Sequence, residues 1–358
     1  MKIKWESAPI TILENVFKYL GFRDRYHASQ VCFQWYDAFY CPSLWSYLTI
    51  DGKVFTKKRK DMFMGPQKDV KHMFFESYLH CFGSKIRGIR FEPFDNYFNL
   101  YEFLFMISKY FDDFGTEAMP LLRSFEYAFF CIFDGNVTFG SGGRMLEVLV
   151  KTVRKLPSSV RRLELSNLFL SYYDSSMLLN SFCHLKHSLV VLNISNVTKD
   201  IRTASYTALL EMVNLERVSV SLLNISEPLI RALCCLPALR EVCAIEDEFT
   251  QIFTLELMET QCPNELWAAL TLTRCLTLEI HQDFSQPMLL LPKQCPFKRV
   301  TYRSKLRRLT IEDLMDLQKI FHATLREVYV ETSYKTFCEL YLPLQGFVSV
   351  PLLLQLEK

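Results

Sequence analysis

The sequence predicts an α/β chain in which an N-terminal helical module precedes an irregular solenoid, with parallel strands on its concave face and helices on its convex face. Three observations predict it. Residues 8–45 carry more large apolar residues at helical spacing than so short a piece can bury within itself. From residue 86 onward one six-residue phrase, apolar-x-x-apolar-x-apolar, keeps returning. Between its copies lie helical patterns, so that strand and helix alternate. The expected organisation is a module over 1–50, a linker over 51–66 and a repeat domain over 67–358.

In the module, Leu13, Val16, Phe17 and Leu20 fall along one side of a helix, with Pro9 suited to its first turn and Gly21 to its end. Val31, Cys32 and Trp35 form a second stripe, and Leu44 and Trp45 follow Pro42. Taken by themselves, these residues fit either an amphipathic cap on the following domain or a segment that needs a partner. The spacing Pro9, Ile12-Leu13, Val16-Phe17, Tyr19-Leu20, Asp24, Val31-Cys32, Trp35-Tyr36, Leu44-Trp45 resembles the F-box. Ala8 departs from the usual leucine, Thr11 from a frequent acidic residue, and Arg25 from an apolar one. The resemblance covers roughly the first fifty residues. It implies that Pro9, Leu13, Val16, Phe17, Leu20, Asp24, Val31, Cys32, Trp35, Leu44 and Trp45 dock on a Skp-family adaptor and, through it, on cullin and RING subunits of a ubiquitin ligase.

Residues 46–63 read as a short strand and then a solvated basic connector, Lys57-Lys58-Arg59-Lys60, with a nuclear-import signal as the alternative reading. The repeating phrase then begins at Ile86, Leu122, Val160, Leu189, Leu215, Leu239, Phe297 and Leu325, with a degraded copy at Thr273. Its later apolar positions alternate, as in a strand with one buried face. Helical patterns run over 67–82, 97–111, 144–156, 175–187, 204–212, 227–235, 264–270 and 311–321. At the C-terminus Val348, Val350 and Leu352 alternate, and Pro351 favours an edge. A doubly wound α/β domain would also alternate strand and helix, but would not repeat one strand phrase so often.

This pattern resembles the irregular leucine-rich repeats found behind many F-boxes, although Asn167, Asn196 and Asn224 stand beside the place the repeat's asparagine normally takes. That resemblance puts target recognition on the concave sheet, at Arg90, Glu126, Arg162, Glu164, Asn193, Arg217, Glu241, Arg299, Thr301, Glu327 and Tyr329. Both signs of charge suit an unidentified protein target better than a nucleic-acid backbone.

Half of the residues are hydrophobic, the formal net charge is +2, and no run reaches the length of a membrane span, so neither nucleic acid nor membrane is expected as a partner. Twelve cysteines without a CxxC pair read as buried thiols of a reducing, cytoplasmic compartment. No cofactor, metal or catalytic residue is expected. The glycine-rich 139–144 lacks a phosphate-loop ending and reads as an insertion. Cys183, His184 and His187 lack a second ligand pair, and Asp112-Asp113 reads as a solvated helix end. The expected role is a non-catalytic substrate receptor. The alternatives are a ubiquitin-independent scaffold and an enzyme on an α/β scaffold.

Overall fold

A computed structural model describes residues 5, 8–61, 65–92, 94, 96–129, 131–133, 136–138, 143–197, 207–221, 229, 233, 235–245, 277–281, 299–304, 327–332 and 352–355. The chain divides into two compact units, Met1–Phe139 with Gly143–Val160, and Gly140–Gly142 with Arg161–Lys358.

The first unit opens with three short helices, α1 (Ile10–Lys18), α2 (Phe22–Ser29) and α3 (Phe33–Phe39), then a 3-10 turn over Pro42–Trp45. Strand β1 (Tyr47–Ile50) follows directly. Next come β2 (Thr56–Asp61) and β3 (Gly65–Val70), paired as an antiparallel hairpin, then α4 (His72–Phe82), β4 (Gly88–Phe91), α5 (Tyr97–Phe114) and β5 (Ser124–Ala128). A second hairpin, β6 (Cys131–Phe133) with β7 (Asn136–Thr138), precedes α6 (Arg144–Arg154). Strand β4 lies between β1 and β5, parallel to both. Two chain corrections follow. The segment expected as a connector is a paired ribbon, and the helix expected from Gln67 begins at His72, because residues 65–70 are held in β3.

In the second unit β8 (Arg162–Ser166), β9 (Val191–Asn193), β10 (Arg217–Ser221), β11 (Glu241–Ile245), β12 (Thr277–His281), β13 (Arg299–Ser304), β14 (Glu327–Thr332) and β15 (Leu352–Gln355) pair in sequence order, all parallel. Helix α7 (Tyr172–Ser181) is shorter than expected, its last turn passing into a 3-10 turn at Cys183–Leu185. The helical stretch expected over 204–212 is a 3-10 turn, Thr207–Glu211. Of 227–235, Leu229, Leu233 and Cys235 are described, the two leucines buried and the cysteine exposed. The helices expected at 264–270 and 311–321, and the alternation at Val348 and Val350, lie outside the described residues.

The phrase maps onto these strands with one rule: its third residue opens the strand, and its first, fourth and sixth residues go inside. Ile86, Ile89 and Phe91 are buried, as are Val160, Leu163 and Leu165, and Leu215, Val218 and Val220. At about 25 cal/mol per Å² of apolar surface, three such side chains per copy are the main force holding each strand down. A backbone feature recurs with them. The carbonyl of the phrase's second residue accepts two N–H groups of the next copy: Arg87 from Arg123 and Ser124, Val190 from Glu216 and Arg217, Glu216 from Arg240 and Glu241.

Register corrects one copy and adds another. Leu278 stands across from Val242 and Val300, so the copy placed at Thr273 is Cys275-Leu276-Thr277-Leu278-Glu279-Ile280, two residues later. Leu48 stands across from Ile89 and Ile50 across from Phe91, and the Ser46 carbonyl accepts from Arg87 and Gly88 N–H. Trp45-Ser-Tyr-Leu-Thr-Ile50 is therefore a first copy that the sequence reading missed.

Local chemistry sets the helix starts. Asn96 accepts the Phe98 N–H at 2.8 Å above α5, and Ser171 accepts the Asp174 N–H at 3.3 Å above α7. Gly143, at φ +64°, takes a backbone conformation ahead of α6 that side chains resist. Asn167 and Asn196 also adopt positive φ, and the Asn196 amide donates to Asn167 Oδ1 at 3.1 Å, so two asparagines of neighbouring copies form a short ladder. Among the described cysteines Cys81 and Cys235 are exposed and Cys32, Cys41 and Cys183 half-buried, with only Cys243 buried, which corrects the expectation of buried thiols. Among the described residues, no helix is long and apolar enough to cross a membrane.

Candidate functional site

Helix α1 is apolar on two sides. Leu13 and Phe17 turn inward and are fully buried, while Ile12, Val16 and Tyr19, at i, i+4 and i+7, face solvent. Tyr19 is 91 % exposed. Helix α3 repeats the arrangement: Ala38 and Phe39 are buried, and Phe33, Tyr36 and Tyr40 form an outer stripe that begins next to exposed Val31. Of the large apolar side chains that are exposed among the described residues, half fall within residues 5–47. A folded surface with apolar groups this dense is a contact face rather than scatter.

What holds this face rigid is beneath it. Phe17 packs edge-on against half-buried Trp35 at 5.6 Å, and the Trp35 indole N–H donates to the Trp5 carbonyl at 3.1 Å. Arg25 ties three elements together. Its Nε donates to the carbonyls of Phe17 at 2.8 Å and Leu20 at 3.0 Å, at the end of α1. Its Nη1 donates to Leu44 at 2.8 Å, and the guanidinium lies 5.4 Å from the Trp45 ring. Burial draws the Arg25 pKa down. Arg25 thereby gives the Leu20 carbonyl a donor and the Phe17 carbonyl a second one beside the Leu20 N–H at 3.0 Å. The sequence showed this residue only as a departure from an apolar pattern, with no signal for its role.

Glu14 accepts from the Ser43 hydroxyl and lies 3.1 Å from Lys18. These hydrogen bonds lower its pKa, Ser43 contributing most. The Tyr36 and Tyr40 hydroxyls share a hydrogen bond at 3.4 Å, and that bond, followed by burial, raises the Tyr40 pKa to about 12.

Residues 5–51 match the family model described as F-box-like. The N-terminus is an F-box-like domain. Comparison with curated proteins gave no match.

Of the positions expected to dock from the F-box-like domain, Pro9, Val16, Asp24 and Val31 are exposed and Leu20, Cys32 and Trp35 half-buried. Leu13, Phe17, Leu44 and Trp45 are at most 5 % exposed. These four are internal supports, because the large side chains at the helix contacts have no other place to go. Gly21 opens α2 with an ordinary φ of −65° and does not terminate α1 in a left-handed turn. Trp45 donates its indole N–H to the Phe39 carbonyl at 2.5 Å and stacks on Phe82 of α4 at 4.2 Å, with Phe22, Phe39 and Tyr78 around it. Lys85 donates to the Tyr40 carbonyl at 3.0 Å. The F-box-like domain thus shares one aromatic core with α4 and the first repeat copy.

Six of the sheet positions expected to meet a target are paired with one another. Arg90 reaches Glu126 at 2.5 Å on the adjacent strand. Arg162 Nε donates to Glu164 at 2.6 Å, and Arg217 lies 3.6 Å from Glu241, its register partner. Asn193 accepts the Ser195 N–H at 3.0 Å. Register sets Arg299 beside Glu327 and Thr301 beside Tyr329, on the backbone of β13 and β14. Ser219 and Cys243, also between apolar positions of the phrase, are buried, so the face is not uniformly solvated.

The chemistry candidates resolve differently. Asp112 is clamped by Lys151 of α6 at 2.6 Å and by Lys155 at the end of that helix, which lowers its pKa; it joins two helices and does not form a carboxylate pair with Asp113. His184 and His187 are exposed, and among the described residues no three His, Cys, Asp or Glu side chains gather as metal ligands. Residues 139–142 of the glycine-rich stretch lie outside the described residues.

Proposed function

We propose that the chain is a non-catalytic substrate receptor: its F-box-like domain docks on a Skp-family adaptor, and its repeat domain holds a protein target for ubiquitin transfer by the assembled cullin–RING ligase. The observation that carries this reading is the apolar outer face of the F-box-like domain, Ile12, Val16, Tyr19, Val31 and Phe33, in the segment that matches the F-box-like family. F-box domains generally bind adaptors of the Skp type. On this reading the strands form an irregular leucine-rich-repeat solenoid, supported by the repeated phrase, by parallel pairing in sequence order and by the recurrent two-donor carbonyl. The receptor supplies proximity, which lowers a barrier without an active-site side chain of its own.

Co-purification with the Skp-family adaptor tests it. Wild type recovers the adaptor, and a Val31→Asp/Phe33→Asp variant loses it while melting as wild type does. Equal recovery by both proteins contradicts the reading. The self-paired charges on the sheet face favour a second reading, a scaffold that binds the adaptor without presenting a target. Proteins that accumulate on cullin inhibition only when the chain is present decide for the receptor.

A further inference from the structure

We infer that the outer face of α5 is an interaction surface for a second copy of this chain, met as an antiparallel helix pair. Helix α5 is apolar on both sides. Leu100, Phe103, Leu104, Ile107 and Phe111 fill its buried side. On the opposite side Tyr97, Phe98 and Phe105 are exposed and Tyr101 half-buried, with Phe98, Tyr101 and Phe105 at i, i+3 and i+7. Phe98 is 71 % exposed. Met73, next in α4 to the His72 that meets Glu102 of α5 at 3.0 Å, is 78 % exposed and widens the apolar surface.

These rings are ordered before any partner arrives. Asn96 accepts the Phe98 N–H at 2.8 Å and so fixes the first turn. Phe98 stands edge-on to Tyr97 at 5.2 Å, and Tyr101 stacks on Phe105 at 6.1 Å and 17°. Covering side chains that are already held lowers the ordering cost of association. The aromatic stretch also stops half-way along the helix. Beyond Phe105 the exposed positions are Lys109, Asp112 and Asp113, so a helix that covers the apolar part alone must lie over the first half of α5.

That asymmetry selects the occupant. A second α5, antiparallel and related by a two-fold axis between Tyr101 and Glu102, sets Phe98 against Phe105 of the second copy, and does so twice. It also sets the Tyr101 phenol against the Glu102 carboxylate of the second copy, a donor opposite an acceptor. Glu102 has room for it, because a carboxylate accepts more than its one contact with His72. Lys109, Asp112 and Asp113 fall past the first residue of the other helix and keep their water. The apolar surface offered is on the order of 500 Å² per copy. Two copies therefore bury about 1,000 Å², the lower bound of a specific interface, which makes the dimer a weak one.

Sedimentation velocity of the full chain from about 1 to about 200 μM tests the inference. Wild type passes from monomer to dimer over that range. Phe98→Lys and Phe105→Glu, each placing a charge against a ring of the other copy, weaken the dimer about tenfold or more and melt as wild type does. An equimolar mixture of the two variants restores the dimer, since the register sets the introduced cation against the introduced carboxylate. Val31→Asp/Phe33→Asp on the F-box-like domain and Tyr173→Glu on α7 leave dimerisation unchanged. Should a charged variant melt early, Phe98→Gln/Phe105→Gln carries the same comparison and also weakens the dimer. Four results overturn the inference: wild type monomeric at the highest concentration, which hands the face to a different protein; wild-type dimerisation in the α5 variants; a mixture no more dimeric than its components; or loss of the dimer in Val31→Asp/Phe33→Asp.

Discussion

On and beside α1 and α3, Ile12, Val16, Tyr19, Val31 and Phe33 turn toward solvent, whereas on the sheet Arg90 meets Glu126, Arg162 meets Glu164 and Arg217 meets Glu241. The helices leave apolar surface for something else to cover. These three arginines of the sheet find carboxylates within it. A partner gains from the first surface by removing it from water, at about 25 cal/mol per Å². At the second it must first displace ion pairs, exposed ones of which are worth at most about 1 kcal/mol each. The difference teaches that, among the described residues, the apolar outer face of the first fifty residues offers a partner more than the self-paired charges of the sheet do.

The largest expected effect breaks the base common to both regions. Trp45→Ala removes the ring on which α2, α3 and α4 converge and the first position of the first repeat copy, and should cost about 3–5 kcal/mol in denaturant unfolding. Loss confined to the helices, with β1 and α4 retaining full hydrogen-exchange protection, would show that the two regions are not joined there.

Next comes Arg25→Leu, which restores the apolar residue usual at that place. It takes the side-chain donor from the Leu20 and Leu44 carbonyls and one of two donors from the Phe17 carbonyl, and a loss of about 2 kcal/mol is expected from the same unfolding experiment. An unchanged or raised stability would mean that water replaces the guanidinium at no cost.

Smaller still is Arg90→Glu, which sets two carboxylates together on adjacent strands. A loss of about 1 kcal/mol is expected, restored by the exchange Arg90→Glu/Glu126→Arg, because the Arg90 side chain is exposed although Glu126 is largely covered. Failure of the exchange to restore would assign Arg90 a partner beyond Glu126.

The smallest effect is a pH dependence. Asp112 has its folded pKa lowered by Lys151 and Lys155, so the clamp contributes above the unfolded value of 3.8 and is lost as pH falls through the lower folded value. Wild type should therefore lose its small advantage over Asp112→Asn on acidification below the ordinary carboxylate range and keep it constant above. An advantage that grows on acidification would contradict the assignment.

How much of this was legible in the sequence follows from what kind of signal each element carries. The strand phrase was legible because its first, fourth and sixth residues are interior in copy after copy, as with Leu189, Leu192 and Ile194. The copy at Trp45 was hidden because its first residue also ends a helical pattern, and the one at Cys275 because Thr273 offered a near match two residues early. The β2–β3 hairpin gave no alternation to read, since consecutive cations occupy β2. The helices of the F-box-like domain were legible as elements, but not as to which side faces in. Val16 and Phe17 are adjacent and equally apolar, and only packing, as against Trp35, sends Phe17 and not Val16 to the interior. The ion pairs of the sheet needed register, which spacing alone does not supply.

The most direct measurement is hydroxyl-radical footprinting of the chain with and without the Skp-family adaptor, read at its exposed aromatic residues. Tyr19 and Phe33, on the outer face of the helices, should lose labelling when the adaptor binds, while Tyr47 on β1 and Tyr173 on α7, exposed at 69 % and 82 %, keep theirs. Unchanged labelling of Tyr19 and Phe33 in a complex that protects Tyr47 or Tyr173 would contradict the account.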